Sequence, residues 1–120
     1  MWNIESVGPV NSAWEKKTFD LPAQGKIEIV GWAVDQEAKA AAGGVVITID
    51  GKAFAAQYGK ARPDVAAAYH VPAYENAGYS LELRAEAFTP GSHIAFVRVV
   101  SSDRKGFWEV GPYNLNFQGK

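Results

Sequence analysis

Apolar and polar residues alternate along several short segments, and this period of two constrains the fold more than any other feature of the chain. In the segment 79–87, for example, Tyr79, Leu81 and Leu83 alternate with charged or hydroxyl residues. Because successive side chains of a strand point to opposite faces of a sheet, this pattern predicts a half-buried strand. Similar patterns occupy the segments 45–49, 52–58, 95–100, 107–110 and 113–117.

Turn-forming residues separate these segments. Asp50-Gly51 predicts a two-residue hairpin that joins 45–49 to 52–58, because both residue types tolerate a positive φ. The cluster Thr89-Pro90-Gly91-Ser92 predicts a second hairpin, between 79–87 and 95–100. The segment 26–34 is apolar on both of its faces, so we expect it to be covered from both sides.

Seven or eight short strands with turns between them are typical of an all-β Greek-key sandwich. Two segments predict short helical turns instead. The segment 35–43 begins with a capping residue, Asp35, continues with helix formers and ends in glycine. The segment 62–69 places Pro63 at the first helical position and Asp64 in the first turn. We therefore expect one domain over residues 1–120, with one or two helical turns, taken from a longer protein.

Composition excludes several classes of function. The chain has 120 residues, of which 48% are hydrophobic and 21% charged, as in an ordinary globular domain. Twelve basic and thirteen acidic side chains leave a net charge of −1, so we expect no nucleic-acid partner. With no cysteine, disulfides and thiolate sites are impossible. No apolar segment approaches the roughly 18 residues of a membrane helix, so we expect no membrane insertion.

The catalytic motifs that we sought do not occur. The sequence contains no nucleophile elbow, phosphate loop or dinucleotide motif. His70 and His93 each stand beside a turn without a motif partner, which favours solvated side chains over catalytic ones. Asp35 and Glu37 are a conceivable carboxylate pair for glycoside hydrolysis, but a helix cap and a solvated charge explain them better. We expect neither an enzyme nor a cofactor.

The loop aspartates and the aromatic side chains are the candidates for metal binding and for recognition. Four loop aspartates are scattered rather than clustered, which favours turn formation over calcium binding: Asp35, Asp50, Asp64 and Asp103. The aromatic side chains near the segment 58–79 are a stronger indication of function. Exposed rings would stack on sugars or anchor a protein partner, whereas rings at the rim of a sandwich would only fill it. The candidate recognition surface consists of Tyr58, Tyr69, His70 and Tyr74, while Tyr79 is assigned to the core.

An ordered series of short motifs resembles a family of bacterial immunoglobulin-like accessory domains found on secreted, surface and membrane-anchored proteins. The series is Gly31-Trp32-Ala33-Val34-Asp35, Ile49-Asp50-Gly51-Lys52, Tyr58-Gly59, Arg62-Pro63-Asp64-Val65-Ala66-Ala67-Ala68-Tyr69, Ala77-Gly78-Tyr79 and Pro90-Gly91-Ser92-His93. The resemblance implies an immunoglobulin-like sandwich in the periplasm or outside the cell, sometimes beside membrane glycosyltransferases. It implies no catalytic residues.

A structural role explains the motif residues, which are Gly31, Trp32, Asp35, Asp50, Gly51, Arg62, Pro63 and Asp64. One hypothesis is that the segment 62–69 crosses a sheet and covers Trp32 with Val65 and the alanines, tied down by Arg62 and Asp64. The alternative is that Trp32 lies in the core between the sheets. Gly31 would let another backbone or a ring approach its strand closely.

The function expected from the sequence is that of a non-catalytic, extracytoplasmic module. It would serve as a spacer or protein-interaction domain, with neighbouring domains of its parent protein or another envelope protein as partners. The alternative is a carbohydrate-recognition module that delivers an attached glycan-active enzyme or glycosyltransferase to its glycan.

Overall fold

The computed structural model describes the backbone of residues 2–7 and 10–11, and both backbone and side chains of residues 17–119. This part of the chain contains more strands than the seven or eight expected. They are β1 (Trp2–Val7), β2 (Val10–Asn11), β3 (Thr18–Leu21), β4 (Lys26–Asp35), β5 (Ala40–Ala41), β6 (Gly44–Ile49), β7 (Lys52–Ala55), β8 (Gln57–Lys60), β9 (Gly78–Arg84), β10 (Gly91–Val100) and β11 (Phe107–Phe117). The helical elements are α1 (Pro63–Tyr69) and the 3-10 turns Pro72–Tyr74 and Ala85–Ala87.

The strands form two sheets in a sandwich-like arrangement, which confirms the all-β class. One sheet has the order β2-β1-β4-β9-β8, with β5 paired to β4. The other has the order β3-β11-β10-β6-β7. Neighbouring strands are antiparallel, apart from β3 and β11, which run parallel.

The main core lies between the two sheets and is built from the inward rows of the alternating segments. Its largest fully buried side chains include Tyr79, as the sequence predicted. Other core residues come from strands of both sheets: Phe19, Leu21, Ile27, Ile29, Val45, Ile47, Ile49, Leu81, Leu83, Val97, Val99, Tyr113, Leu115 and Phe117. Burial of these apolar surfaces holds the layers together.

The hairpin at Asp50-Gly51 is confirmed. Ile49 pairs with Lys52, and the two turn residues have positive φ values of 51° and 84°. The segment 52–58, however, is not one strand. β7 pairs with β6, while β8 pairs with β9 in the opposite sheet, so the chain changes sheets at Ala56. There the Ala56 N–H donates to the carbonyl oxygen of Val45 at 3.0 Å.

The predicted hairpin between 79–87 and 95–100 is wrong. β9 ends at Arg84 and a 3-10 turn follows, after which β10 enters the other sheet. The alternation did indicate the buried face of each strand, but both sheets bury a face against the same core. Alternation alone therefore cannot assign a strand to a sheet.

Of the two predicted helical turns, one is confirmed. α1 has proline at its start and Asp64 in its first turn. The other, at 35–43, is wrong, because a turn and the short strand β5 occupy it. A helix of this length is marginal by itself, and pairing of Ala40 and Ala41 with the end of β4 supplies backbone hydrogen bonds instead.

Candidate functional site

Trp32 lies on the outer face of its sheet, under the helical segment. Its side chain is only 8% exposed. It belongs to a second apolar cluster, separate from the main core, with Val34, Val65, Tyr74 and Ala77. The Tyr69 ring lies 5.6 Å from the Trp32 ring, centroid to centroid. The hypothesis that the segment 62–69 covers Trp32 is confirmed, and the placement in the core between the sheets is wrong.

Arg62 holds the helical segment in place through its backbone, while its side chain binds Asp64 within the same segment. Its backbone N–H donates to the carbonyl oxygen of Glu75, and its guanidinium binds both oxygens of Asp64, at 3.0 and 2.8 Å. The Arg62 guanidinium lowers the pKa of Asp64, against a smaller opposing effect of burial. The side chain also crosses Gly78, where a Cβ atom would lie 2.9 Å from the Arg62 Cγ. Sequence reasoning missed this contact, although Gly78 belonged to the quoted motif series.

Of the alanines assigned to this cover, only Ala66 packs against the cluster. It is partly buried there, whereas Ala67 and Ala68 are exposed. Pro63 is exposed at the start of α1, in the position predicted for it. The cover therefore consists of one buried helical face, with the other face in solvent.

Two members of the candidate recognition surface are structural. The Tyr58 hydroxyl donates to the Ala33 carbonyl oxygen and accepts from the Ala42 N–H at 2.9 Å, and burial raises the pKa of Tyr58. Tyr74 is 2% exposed, so its ring is not available to stack on a sugar or to anchor a protein partner. The 3-10 turn that begins at Pro72 folds the ring back towards Tyr69, 6.2 Å away between centroids.

Tyr69 and His70 remain accessible. Tyr69 is partly exposed beyond its contact with Trp32. His70 ends α1 with a φ of 57°, and its side chain lies in solvent, as expected. A shallow hollow lies beside them, lined by Pro63, Ala66, Ala67, His70, Pro72 and Glu75. It contains few groups able to fix the orientation of a ligand.

A second groove, which sequence reasoning missed, opens between the edges of the two sheets. Its volume is about 460 Å³, and its lining includes Lys52, Phe54, Glu82, Arg84 and Phe88. The rings of Phe54 and Phe88 are 6.3 Å apart. The groove thus combines an aromatic floor with a charged rim, a common composition of ligand sites. The signal in the sequence was weak, because these residues come from two segments that lie far apart along the chain.

An ion pair between buried His93 and exposed Asp50 lies in the lining of this groove. His93 Nδ1 lies 2.5 Å from Asp50 Oδ2, and His93 Nε2 lies 2.8 Å from the Thr89 carbonyl oxygen. Burial lowers the pKa of His93, but hydrogen bonds to Thr89 and Asp50 outweigh it and raise the pKa overall. The Ile94 N–H, then His93, lower the pKa of Asp50. Because both imidazole nitrogens face acceptors, the site favours the charged ring.

The expectation that His93 is solvated is therefore wrong. His93 is buried, and its partner Asp50 lies 43 positions away in the sequence, so no local motif revealed the pair. The pair attaches the β6–β7 hairpin to β10. With its two ring nitrogens engaged, His93 is not positioned as a free general base.

Asp35 has a similar structural role. Its buried carboxylate accepts hydrogen bonds from the Ser102 N–H at 2.8 Å and from the Ala38 N–H at 3.1 Å. The Ser102 N–H is the main reason that the pKa of Asp35 is lowered despite burial. Glu37 is exposed in the adjacent turn. Asp35 thus joins two loops, and the expected helix cap is wrong because a turn and β5, not a helix, follow it.

The remaining candidates also occupy structural positions. Gly31 is buried between Ile4 of β1 and Tyr79 of β9. Asp103 accepts hydrogen bonds from the Ser101 hydroxyl and the Lys105 N–H within one turn. Within the described residues, no three His, Asp or Glu side chains are grouped so that they could hold a metal ion. None of the described helices has the length and apolar character needed to cross a membrane.

The outer face of the five-stranded sheet exposes apolar side chains. Alternate residues of β10 and β11 form an outer strip, which we define as Ile94, Phe96, Val100 and Phe107. Phe107 is 54% exposed, and Arg98 lies over its ring at 4.7 Å. Arg98 also pairs with Glu109 at 2.7 Å. An apolar row of this kind on an open sheet face is typical of protein contact surfaces.

Comparisons with models of known protein families and with curated proteins found no match.

Proposed function

We propose that this chain is a non-catalytic, immunoglobulin-like interaction module of a bacterial envelope protein, located in the periplasm or outside the cell. Its Greek-key immunoglobulin arrangement and its location rest on the resemblance of the ordered motif series. Its partner is a neighbouring domain of the parent protein or another envelope protein. The outer strip is the contact surface.

This proposal rests on a contrast between polar groups that hold the fold together and apolar side chains that face solvent. The groups with catalytic chemistry, Asp35, Asp50 and His93, are all engaged in hydrogen bonds that hold the fold together. The apolar side chains of the outer strip, in contrast, lie partly or largely in solvent within the described part of the chain. Burying them in a contact would contribute about 25 cal/mol per Å² of apolar surface, before the costs of association.

Photocrosslinking in the parent protein tests this proposal. A photoreactive amino acid at Phe107 should form a crosslink to another domain or to an envelope protein. The same group at Glu37, which is exposed in the turn after β4, is the matched control and should form none. Absence of any crosslink from Phe107, when the protein is expressed and folded, would contradict an interaction role and leave that of a spacer.

The second candidate is a carbohydrate-recognition module, favoured by the groove between the sheet edges. Phe54 and Phe88 supply apolar ring surface there, and Lys52 and Glu82 supply hydrogen-bonding groups at the rim. A glycan array distinguishes the candidates, because the interaction module should retain no glycan. A glycan that binds the chain and is lost in Lys52→Ala and Glu82→Gln, but not in Lys105→Ala, would support carbohydrate recognition.

A further inference from the structure

Half of one edge of β9 has no neighbouring strand among the described residues. β4 pairs with β9 along its whole length, from Arg84 to Gly78. On the other side, β8 pairs only with residues 78–80, because the chain reaches β8 after crossing from the opposite sheet. Within the described part of the chain, residues 81–84 therefore have a strand on one side only. An open edge of this kind is a template for another strand.

The hydrogen bonds at the two ends of β9 show which backbone groups face the open side. The Ala33 N–H donates to the Ala77 carbonyl oxygen at 3.0 Å, and the Ala85 N–H donates to the Gly25 carbonyl oxygen at 2.9 Å. In an antiparallel sheet, alternate residues direct both backbone groups to the same side. Odd-numbered residues therefore face β4, and Glu82 directs its N–H and C=O to the open edge.

Arg84 has the same parity as Glu82 and faces the same way. These two residues thus present two donors and two acceptors, in the spacing that another extended strand requires. Their side chains carry opposite charges and lie on the outer face of the sheet, whereas Leu83 between them is buried against the core. The edge is consequently complementary to itself when it is turned by 180°.

We propose that two copies of this chain associate along this edge, with their β9 strands antiparallel and a two-fold axis at Leu83. Glu82 then pairs with Arg84 of the second copy, and Arg84 with Glu82 of the second copy. Both are hydrogen-bonded backbone pairs, so the contact contains four main-chain hydrogen bonds. An isologous contact of this kind closes after two copies.

Charge selects this register over its neighbours. A shift by one pair in either direction places Glu82 opposite Glu82, or Arg84 opposite Arg84. Like charges directly opposite in a sheet are destabilising, whereas opposite charges stabilise the pair. Within one copy, Glu82 already lies 3.6 Å from Lys26, and Arg84 lies 3.1 Å from Glu86. Both are exposed ion pairs, which contribute little and can be exchanged for pairs across the axis.

The contact is short, and weak association follows. β8 occupies the edge up to Ser80, and the 3-10 turn begins at Ala85. Only the backbone between these two points is free to pair. Small interfaces of this kind belong to transient complexes, so the dimer should form at high protein concentration. It should also weaken as salt screens the charge pairs. The association does not depend on the proposed interaction at the outer strip, since it uses a different surface, although Glu82 and Arg84 also line the groove of the second candidate function.

Charge reversal with rescue tests the proposal. In sedimentation equilibrium at low salt and up to about 1 mM protein, the wild type should dimerise, a range appropriate to a weak contact. Glu82→Arg or Arg84→Glu alone should weaken dimerisation by at least about tenfold, because both pairs become repulsive. An equimolar mixture of the two variants should recover it as a heterodimer. Glu109→Arg, a charge reversal in β11, is the control and should have no effect.

Amide exchange provides a second measurement that needs no variant. Raising the concentration of the wild-type chain should slow exchange at the amides of Glu82 and Arg84, but not at that of Lys105. A wild type that stays monomeric would overturn the proposal. So would single variants that dimerise as the wild type does, or a mixture of folded variants that does not associate.

Discussion

Trp32→Ala should destabilise the fold strongly, because the indole is 8% exposed in a cluster closed by α1 and the turn Pro72–Tyr74. Removing a buried Trp side chain typically costs about 3 to 5 kcal/mol. The lost ring contact with Tyr69 is included in that range. With a urea m-value of about 1 to 3 kcal/mol per M, the unfolding midpoint should fall by roughly 1 to 5 M.

Trp108→Ala is the matched control, since it removes the same side chain at a site that is 39% exposed. It should cost about 1 kcal/mol, as expected for a partly exposed residue. Val65→Ala tests the cluster from the helical side and should cost about 1 to 3 kcal/mol. In the double variant, Trp32→Ala with Val65→Ala, the costs should not add, because the two residues share one cluster. The covering of Trp32 by α1 would be refuted if Trp32→Ala and Trp108→Ala lowered the free energy of unfolding equally and the effects of Trp32→Ala and Val65→Ala were additive.

Three further predictions concern the hydrogen bonds and the close contact at other sites. Tyr58→Phe removes the hydroxyl that bridges two main-chain groups, so it should lower the free energy of unfolding by about 1 to 3 kcal/mol, and an unchanged urea midpoint would contradict the bridge. Gly78→Ala should cost about 1 to 3 kcal/mol through the clash with Arg62, and Gly106→Ala, which has open space, serves as its control. Because the pKa of His93 is raised above 6.5, its contribution to stability should be present below that pH and be lost as pH rises through the folded-state pKa. Because the pKa of Asp50 is lowered, its contribution to stability should be present above about pH 3.8 and be lost as pH falls. The pair should therefore stabilise the fold most between about pH 3.8 and pH 6.5. Urea midpoints of the wild type and His93→Gln, measured from pH 4 to 8, should converge at the alkaline end, and parallel profiles would rule out the charged pair.

Local chemistry made parts of this fold predictable from sequence. The Asp50-Gly51 turn and the proline at the start of α1 depend only on residues next to them in the sequence. Both occur where the sequence predicted them. Two-sided burial was confirmed only for residues 31–35 of β4, because Lys26 and Glu28 in its first half are exposed.

Non-local partners explain what the sequence did not reveal. The crossing at Ala56 depends on the Val45 carbonyl, and the burial of His93 depends on Asp50, which lies far away along the chain. The helix expected at 35–43 was excluded by pairing with β4 and by the hydrogen bond that the Ser102 N–H donates to the Asp35 carboxylate. Periodicity indicates which side of a strand is buried, but neither its sheet nor its distant partners.

The central claim is that the Trp and Arg-Pro-Asp motifs serve the fold, with α1 covering Trp32 on the outside of a sheet. Nuclear Overhauser contacts from the Trp32 indole protons test this directly. We expect nuclear Overhauser contacts from these protons to the Val65 methyl groups and to the Tyr69 ring. Contacts from that indole to Val97 and Leu115 in the main core, with none to Val65, would contradict it.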